Sequence, residues 1–350
     1  MLSGNDFPSW SYAGNVMKSH LCSLLPVVVS LAVGVGISSC IFQEGGYCPD
    51  QIPFTIENDW KAAPDASPEG MAYIFFPENG SESWRFDFPG CDAGRVNMAI
   101  GKYKFLSYND DTYNVLFHDD GGYDSYEAYT SEKDLLGSIP QAERGDSLPQ
   151  CKDERVVGCP DMMWGCAYYD FSLQYDGVRF ILSATLQPDS IVKYSPDFVL
   201  TAVQSPLTAR YTFRIEDIEN LAGVKSMSAA LSGMAGSMLL ASRTKGSYPS
   251  TLSLKASILD STTAGGNFCT FGVPSEPSAD NILSFFVVIK DGRRFCYKFD
   301  VTDQVRSASD PMNVCLIVKG ITLEIPDTGG DTGFDVVVDG WETVIVNING

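Results

Sequence analysis

Apolar and polar residues alternate with a period of two along most of this chain. Ile52, Phe54 and Ile56 are separated by Pro53, Thr55 and Glu57, and Trp84, Phe86 and Phe88 by Arg85 and Asp87. Tyr103 and Phe105 alternate with Lys102 and Lys104. Successive side chains of a strand point to opposite faces, so the pattern predicts half-buried strands, not helices. Met71–Phe76 is a denser apolar run, as expected of a strand covered on both faces. Phe171–Tyr175 and Val178–Ala184 flank Asp176-Gly177, a hairpin signal. Another hairpin is predicted from Leu283–Lys290, the turn Asp291-Gly292 and Arg293–Val301, with a two-residue type I′ turn. In its second arm Phe295, Tyr297, Phe299 and Val301 share one face, and Arg294, Cys296, Lys298 and Asp300 the other.

Tyr211, Phe213 and Ile215 alternate again, and Val314–Val318 and Ile321–Ile325 follow. Ser226–Ala241 is rich in Ala, Ser, Gly and Met and could pass for a helix. Gly233 and Gly236 weaken that reading, and strand–turn–strand is expected. Pro326–Gly333 has the composition of a flexible hinge. Beyond it two strands, Phe334–Val338 and Thr343–Ile348, are predicted. Pro188, Asp189, Pro196 and Pro206 punctuate residues 185–206, which places a domain boundary there. Closely spaced strands with Gly, Pro, Asn and Asp between them predict an all-β fold of two sandwiches, residues 48–204 and 205–350.

One stretch escapes the alternation. An apolar run from Leu21 to Ile37 closes in Ile37-Ser38-Ser39-Cys40. It is short, contains Pro26 and ends in small residues, which fits an export signal better than a spanning helix. A branched apolar residue, two small residues and a cysteine form the pattern read by bacterial lipoprotein processing. Residues 1–39 are therefore expected to be a signal peptide, with Cys40 lipidated and residues 40–47 a tether. Two acyl signals or more give stable membrane anchoring. The alternative is an ordinary secretory signal with Cys40 merely near the cleavage site. The first sixteen residues carry Asp6 and no basic residue, whereas Met17-Lys18-Ser19-His20 supplies a positive start, which points to Met17 as the true initiator.

Charge removes several functions from consideration. The net charge is −20, and residues 1–39 hold only Asp6 and Lys18, so the excess acid lies in the exported part. Such a surface repels phosphate backbones, and no nucleic-acid partner is expected. The densest acidic loop, Asp119-Asp120-Gly121-Gly122-Tyr123-Asp124, lacks the ligand spacing of a calcium loop. Cys151, Cys159 and Cys166 cluster without any C-x-x-C, which argues against a redox or zinc motif. One or two structural disulfides plus buried free thiols are expected, since export permits them. After the signal only His118 remains, at a strand end, too few for a histidine zinc site and poorly placed for a triad. No nucleophile elbow, phosphate loop or dinucleotide fingerprint occurs, so no catalytic residue, cofactor or metal site is expected. A glycosidase-type carboxylate pair is left open by the abundance of acids.

Four segments together carry a family resemblance: the lipobox with a first strand from Cys48 to Trp60; Pro206-Leu207-Thr208 through Ile218-Glu219-Asn220-Leu221 to Leu231-Ser232-Gly233-Met234-Ala235; Tyr297-Lys298-Phe299-Asp300-Val301-Thr302-Asp303-Gln304; and Gly333-Phe334 to Trp341. In these the chain resembles the fimbrillin-type lipoproteins of Bacteroidetes, most of all their anchor and accessory branch. The resemblance implies two tandem transthyretin-like sandwiches, an outer-membrane, cell-surface location, no catalysis, and partnership with other pilus subunits by strand addition. Shaft pilins of this family lose their first strand by cleavage after arginine. Here no Lys or Arg lies between Cys40 and Trp60, which favours a subunit that keeps its lipid, as a base anchor does. Phe334, Val336 and Val338, then Val344, Val346 and Ile348, are the candidate donor strands; the alternative is that they close the second sandwich as a hairpin. Ser147, Ser190 and Ser261, each preceded by Asp and followed by an apolar residue or Thr, match the O-glycosylation pattern of these bacteria. The competing function is glycan binding in polysaccharide uptake, with Trp164 as the aromatic expected to be exposed.

Overall fold

A computed structural model describes residues 51–118, 122–147, 149, 154–175, 180–186, 191–195, 198–276, 279–323 and 340–347. The fold is all-β, built as sheets packed face to face. In the first sandwich the strand Ile52–Asp59 is the centre of a three-stranded sheet, antiparallel to Arg95–Met98 and parallel to Val199–Val203. The opposing sheet runs in the order Ile191–Ser195, Phe180–Leu186, Trp164–Tyr175, Gly101–Asn109, Gly70–Pro77 and Trp84–Pro89, all antiparallel. Ile52, Phe54 and Ile56 meet Tyr73, Phe75, Phe105 and Phe171 in the core between them. The dense run Met71–Phe75 is wholly buried because its two faces enter different cores: Tyr73 and Phe75 the first, Ala72 and Ile74 a second with Leu106 and Tyr108. The Phe75 ring lies 4.8 Å from Phe105 and 5.2 Å from Phe171. Burial of each such ring stabilises the fold by roughly 1.5–3 kcal/mol.

The second sandwich pairs a four-stranded sheet, Ser257–Ile258, Ala264–Thr270, Ala209–Glu219 and Asn313–Thr322, with a six-stranded one, Trp341–Val346, Arg294–Asp300, Ile282–Ile289, Val224–Ala235, Pro249–Leu254 and Arg155–Val157. Phe213, Ile215, Leu231, Leu283, Phe299 and Leu316 are fully enclosed in its core. Ser226–Ala241 is extended, as its glycines suggest: the strand Val224–Ala235 bulges where Gly233 takes φ +75, and Ser237–Leu239 follows Gly236. Segments before and after residue 204 share sheets. Arg155–Val157 edges the six-stranded sheet, and Glu127–Thr130 joins Val115–His118 to Ser237–Leu239.

The expected turn type is corrected. The hairpin Ile282–Ile289 to Arg294–Asp300 forms in the expected place, but its turn is not type I′. Only Gly292 has positive φ, +94, and its N–H donates to Ile289 O at 3.0 Å. Lys290-Asp291-Gly292 is thus a three-residue loop whose left-handed glycine makes a bulge, a geometry that requires nothing unusual of Asp291. Among the described residues no disulfide forms: Cys91, Cys159, Cys166, Cys269, Cys296 and Cys315 are not bridged to one another. They are dispersed through the fold. Cys166 is enclosed in the first core, Cys296 in a separate cluster on the outer face of the six-stranded sheet, and Cys315 is exposed. Cys48 and Cys151 lie outside the described residues.

Candidate functional site

The segment with the strongest claim to function is the last described strand. Trp341–Val346 runs parallel to Arg294–Asp300, from Arg294↔Trp341 to Phe299↔Val346, and forms one rim of the six-stranded sheet. Alternation sets its two faces. Val344 and Val346 are partly buried against the second core, as their shared face requires, whereas Ile345 is 76% exposed. Trp341 turns to the opposite side of the sheet. Phe334, Val336, Val338 and Ile348 lie outside the described residues. Among the described residues it has a neighbour on one side only and few buried side chains, so it is held mainly by its ladder and by its anchor.

Trp341 is that anchor. Its ring stands edge-on to Phe286 at 5.7 Å, and its Nε1 donates to Arg144 O at 3.0 Å. Arg144 belongs to a strap, residues 134–147, laid over the outer face of the sheet. Leu135, Leu136 and Ile139 pack on Ala230, Phe286, Val288 and Cys296, which explains why the polar-side position Cys296 is buried. Arg144 is pinned within the strap: its guanidinium pairs with Asp134, and its Nε donates to Ile139 O at 2.6 Å. At the far end Glu143 Oε2 accepts from Ser226 Oγ at 2.6 Å, and Lys225 lies at 3.3 Å. The Ser226 hydroxyl first, then Lys225, holds the Glu143 carboxyl below the usual glutamate range. Arg294 Nε donates to Glu143 O at 2.7 Å, tying the strap to the strand beside Trp341–Val346. The strap was not foreseen. Its only signal in sequence was Leu135-Leu136 and Ile139 in an otherwise polar loop.

The other predicted positions are scattered. The first strand is central in its sheet, with Ile52, Phe54 and Ile56 buried. Trp164 is 8% exposed, which overturns its expected exposure. It opens a long central strand, pairs with Pro206 and lines a small cleft, about 180 Å³, shared with Asp65 and Arg210. His118 closes Val115–His118, stacks on Tyr129 at 4.0 Å and lies 3.3 Å from Glu127. Ser147 and Ser261 are exposed; Ser190 and Cys40 lie outside the described residues. Asp260 bonds the Thr262 N–H at 2.9 Å, which fixes Ser261 at the tip of a tight turn.

Residues 47–255 match the family model described as "Domain of unknown function (DUF5119)". A curated Bacteroides ovatus protein named as a fimbrium anchoring subunit, Fim4B, is 30% identical over 82 residues, 23% of this chain and 25% of the relative. The match thus spans about a quarter of that relative's length. A crystal structure of an adhesin from Bacteroides ovatus superimposes with a TM-score of 0.54 at 18% identity, covering 78% of this chain and 94% of that one, so the two share a fold. The fimbrial anchor protein Mfa2 of Porphyromonas gingivalis aligns with a TM-score of 0.43 at 10% identity, over 77% and 91% of the two chains.

Proposed function

The chain belongs to the DUF5119 family, and we propose that it is a non-catalytic fimbrial anchor or accessory subunit, held at the cell surface by lipid on Cys40. The observation that carries this reading is the last strand: among the described residues a rim strand, docked in parallel on its own sheet and held by its ladder and by Trp341. A strand so placed can leave its sheet and complete that of a neighbouring subunit, where backbone bonds give affinity and alternate side chains fill pockets. The similarity to a protein named for fimbrium anchoring supports the same role. The first strand, by contrast, has partners on both sides, and no Lys or Arg lies between Cys40 and Trp60, so it stays in place with its lipid.

Deletion of residues 333–350 tests the proposal. A truncated protein that folds with near-native stability but no longer joins its pilus partners supports a donor segment. Loss of cooperative unfolding makes the segment part of its own core and removes the donor role. Palmitate labelling abolished by Cys40→Ala tests the anchor, and intact-mass spectrometry tests glycans on Ser147, Ser190 and Ser261. The glycan-uptake alternative rested on an exposed Trp164, and its burial withdraws that support.

A further inference from the structure

Among the described residues, the strand Asn313–Thr322 forms a rim of the four-stranded sheet, parallel to Ala209–Glu219 and with no strand on its other side. Arg210 N donates to Met312 O at 2.8 Å, which sets the parity of the ladder. Residues 314, 316 and 318 bond inward, and the N–H and C=O of Cys315, Ile317 and Lys319 point outward. An outward row on a straight strand is a template for another chain. At its middle the row is occupied. Gln304 Oε1 accepts from Ile317 N at 2.8 Å, and Gln304 Nε2 donates to Ile317 O at 2.9 Å. One side-chain amide thereby makes both bonds that a partner strand's backbone would make.

Gln304 is not there by the drift of a surface side chain. It sits on the short helix Thr302–Arg306, whose Val305 is buried in the second core. Asp300 Oδ1 takes the Thr302 N–H at 3.0 Å, and the Thr302 hydroxyl takes the Asn281 N–H at 2.9 Å, so the helix is fixed against the sandwich.

We propose that Gln304 is an edge cap, and that the partner it excludes is a second copy of this chain. Two copies of Asn313–Thr322 can pair antiparallel about a two-fold axis normal to the sheet. Both sets of Val314, Leu316 and Val318 then stay on the same side, each over its own core, so a continuous sheet forms with no face misplaced. The exposed Ile317 and Cys315 add apolar area on the outer face. In the intact protein the amide of Gln304 lies where the second backbone would run.

The test uses the exported chain with Gln304→Ala, and with Gln304→Met, which keeps the packing and removes both bonds. Ile317 amide exchange is expected to be slow in the wild type and at least about fivefold faster in either variant, the ratio for one lost hydrogen bond. Light scattering across a concentration series is expected to show dimers in the variants beyond the wild-type mass. Adding Ile317→Pro, which deletes the outward N–H at a rim position that tolerates proline, is expected to restore the wild-type mass. Rapid Ile317 exchange in the wild type overturns the cap. Folded variants with unchanged mass, or dimers that survive Ile317→Pro, overturn the excluded partner.

Discussion

The indole N–H of Trp341 bonds the carbonyl oxygen of Arg144, 3.0 Å away in space and 197 residues away in sequence. This contact joins the last described strand to a strap that leaves the first half of the chain and lies on the second sandwich. The strap is bound at three kinds of site: apolar contacts of Leu136 and Ile139, the Glu143–Ser226 bond, and Arg294 on the Glu143 carbonyl. Trp341 is thus secured by a well-fixed element, whereas residues 342–346 depend on their ladder.

Trp341→Phe keeps an aromatic ring for Phe286 and removes the indole donor. The loss is expected to cost about 1 kcal/mol locally. Amide exchange in residues 341–346 should accelerate about fivefold, while the unfolding midpoint of the protein moves little. Equal acceleration throughout the second sandwich would show that the strand does not open separately.

Gly292 has φ +94 and nothing within 4 Å of where a Cβ would stand. Gly292→Val therefore meets no clash, and its penalty is that of a β-branched residue in a left-handed conformation, about 1–2 kcal/mol. A melting temperature lowered by a few degrees is expected; an unchanged one would mean the loop rearranges freely.

Much of the fold was legible because period two reports directly on which face is buried. Phe295, Tyr297 and Phe299 enter the core as a set, and Met71–Phe75 is covered on both sides. What periodicity does not carry is which strands meet. The parallel pairings of Ile52–Asp59 with Val199–Val203 and of Trp341–Val346 with Arg294–Asp300 join residues far apart in sequence. The strap was hidden for the same reason, and Cys296 looked solvent-facing until Leu136 and Ile139 covered it. Asp161 and Gly165 around Trp164 suggest a loop, whereas the strand begins at Trp164 itself.

The strap should respond to acid. The Glu143 carboxyl is held below its ordinary value of 4.5 by the Ser226 hydroxyl and Lys225. A carboxyl whose folded pKa is depressed contributes stability above the unfolded value and loses it as pH falls through the folded one. Protection of residues 134–144 against exchange, corrected for intrinsic rate, should be flat near neutrality and fall only as pH drops below about 4.5. Glu143→Gln should abolish this pH dependence. The same fall in Glu143→Gln would assign it to another group.

Trp164 decides between packing and recognition. Its side chain is 8% exposed, and its backbone N–H donates to Asn109 Oδ1 at 2.8 Å, within a strand held on both sides. Trp164→Ala leaves the backbone bond intact and removes a large buried ring, at a cost of about 3 kcal/mol or more. At roughly 2–4 °C per kcal/mol for domains of this size, the melting temperature should fall by about 6 °C or more. The cleft it touches, about 180 Å³, is too small to enclose a drug-sized ligand. Glycan-array profiles of wild type and variant, recorded well below both melting temperatures, are therefore expected to coincide. A variant as stable as the wild type that has lost a glycan signal would reverse this assignment and reinstate Trp164 as a contact.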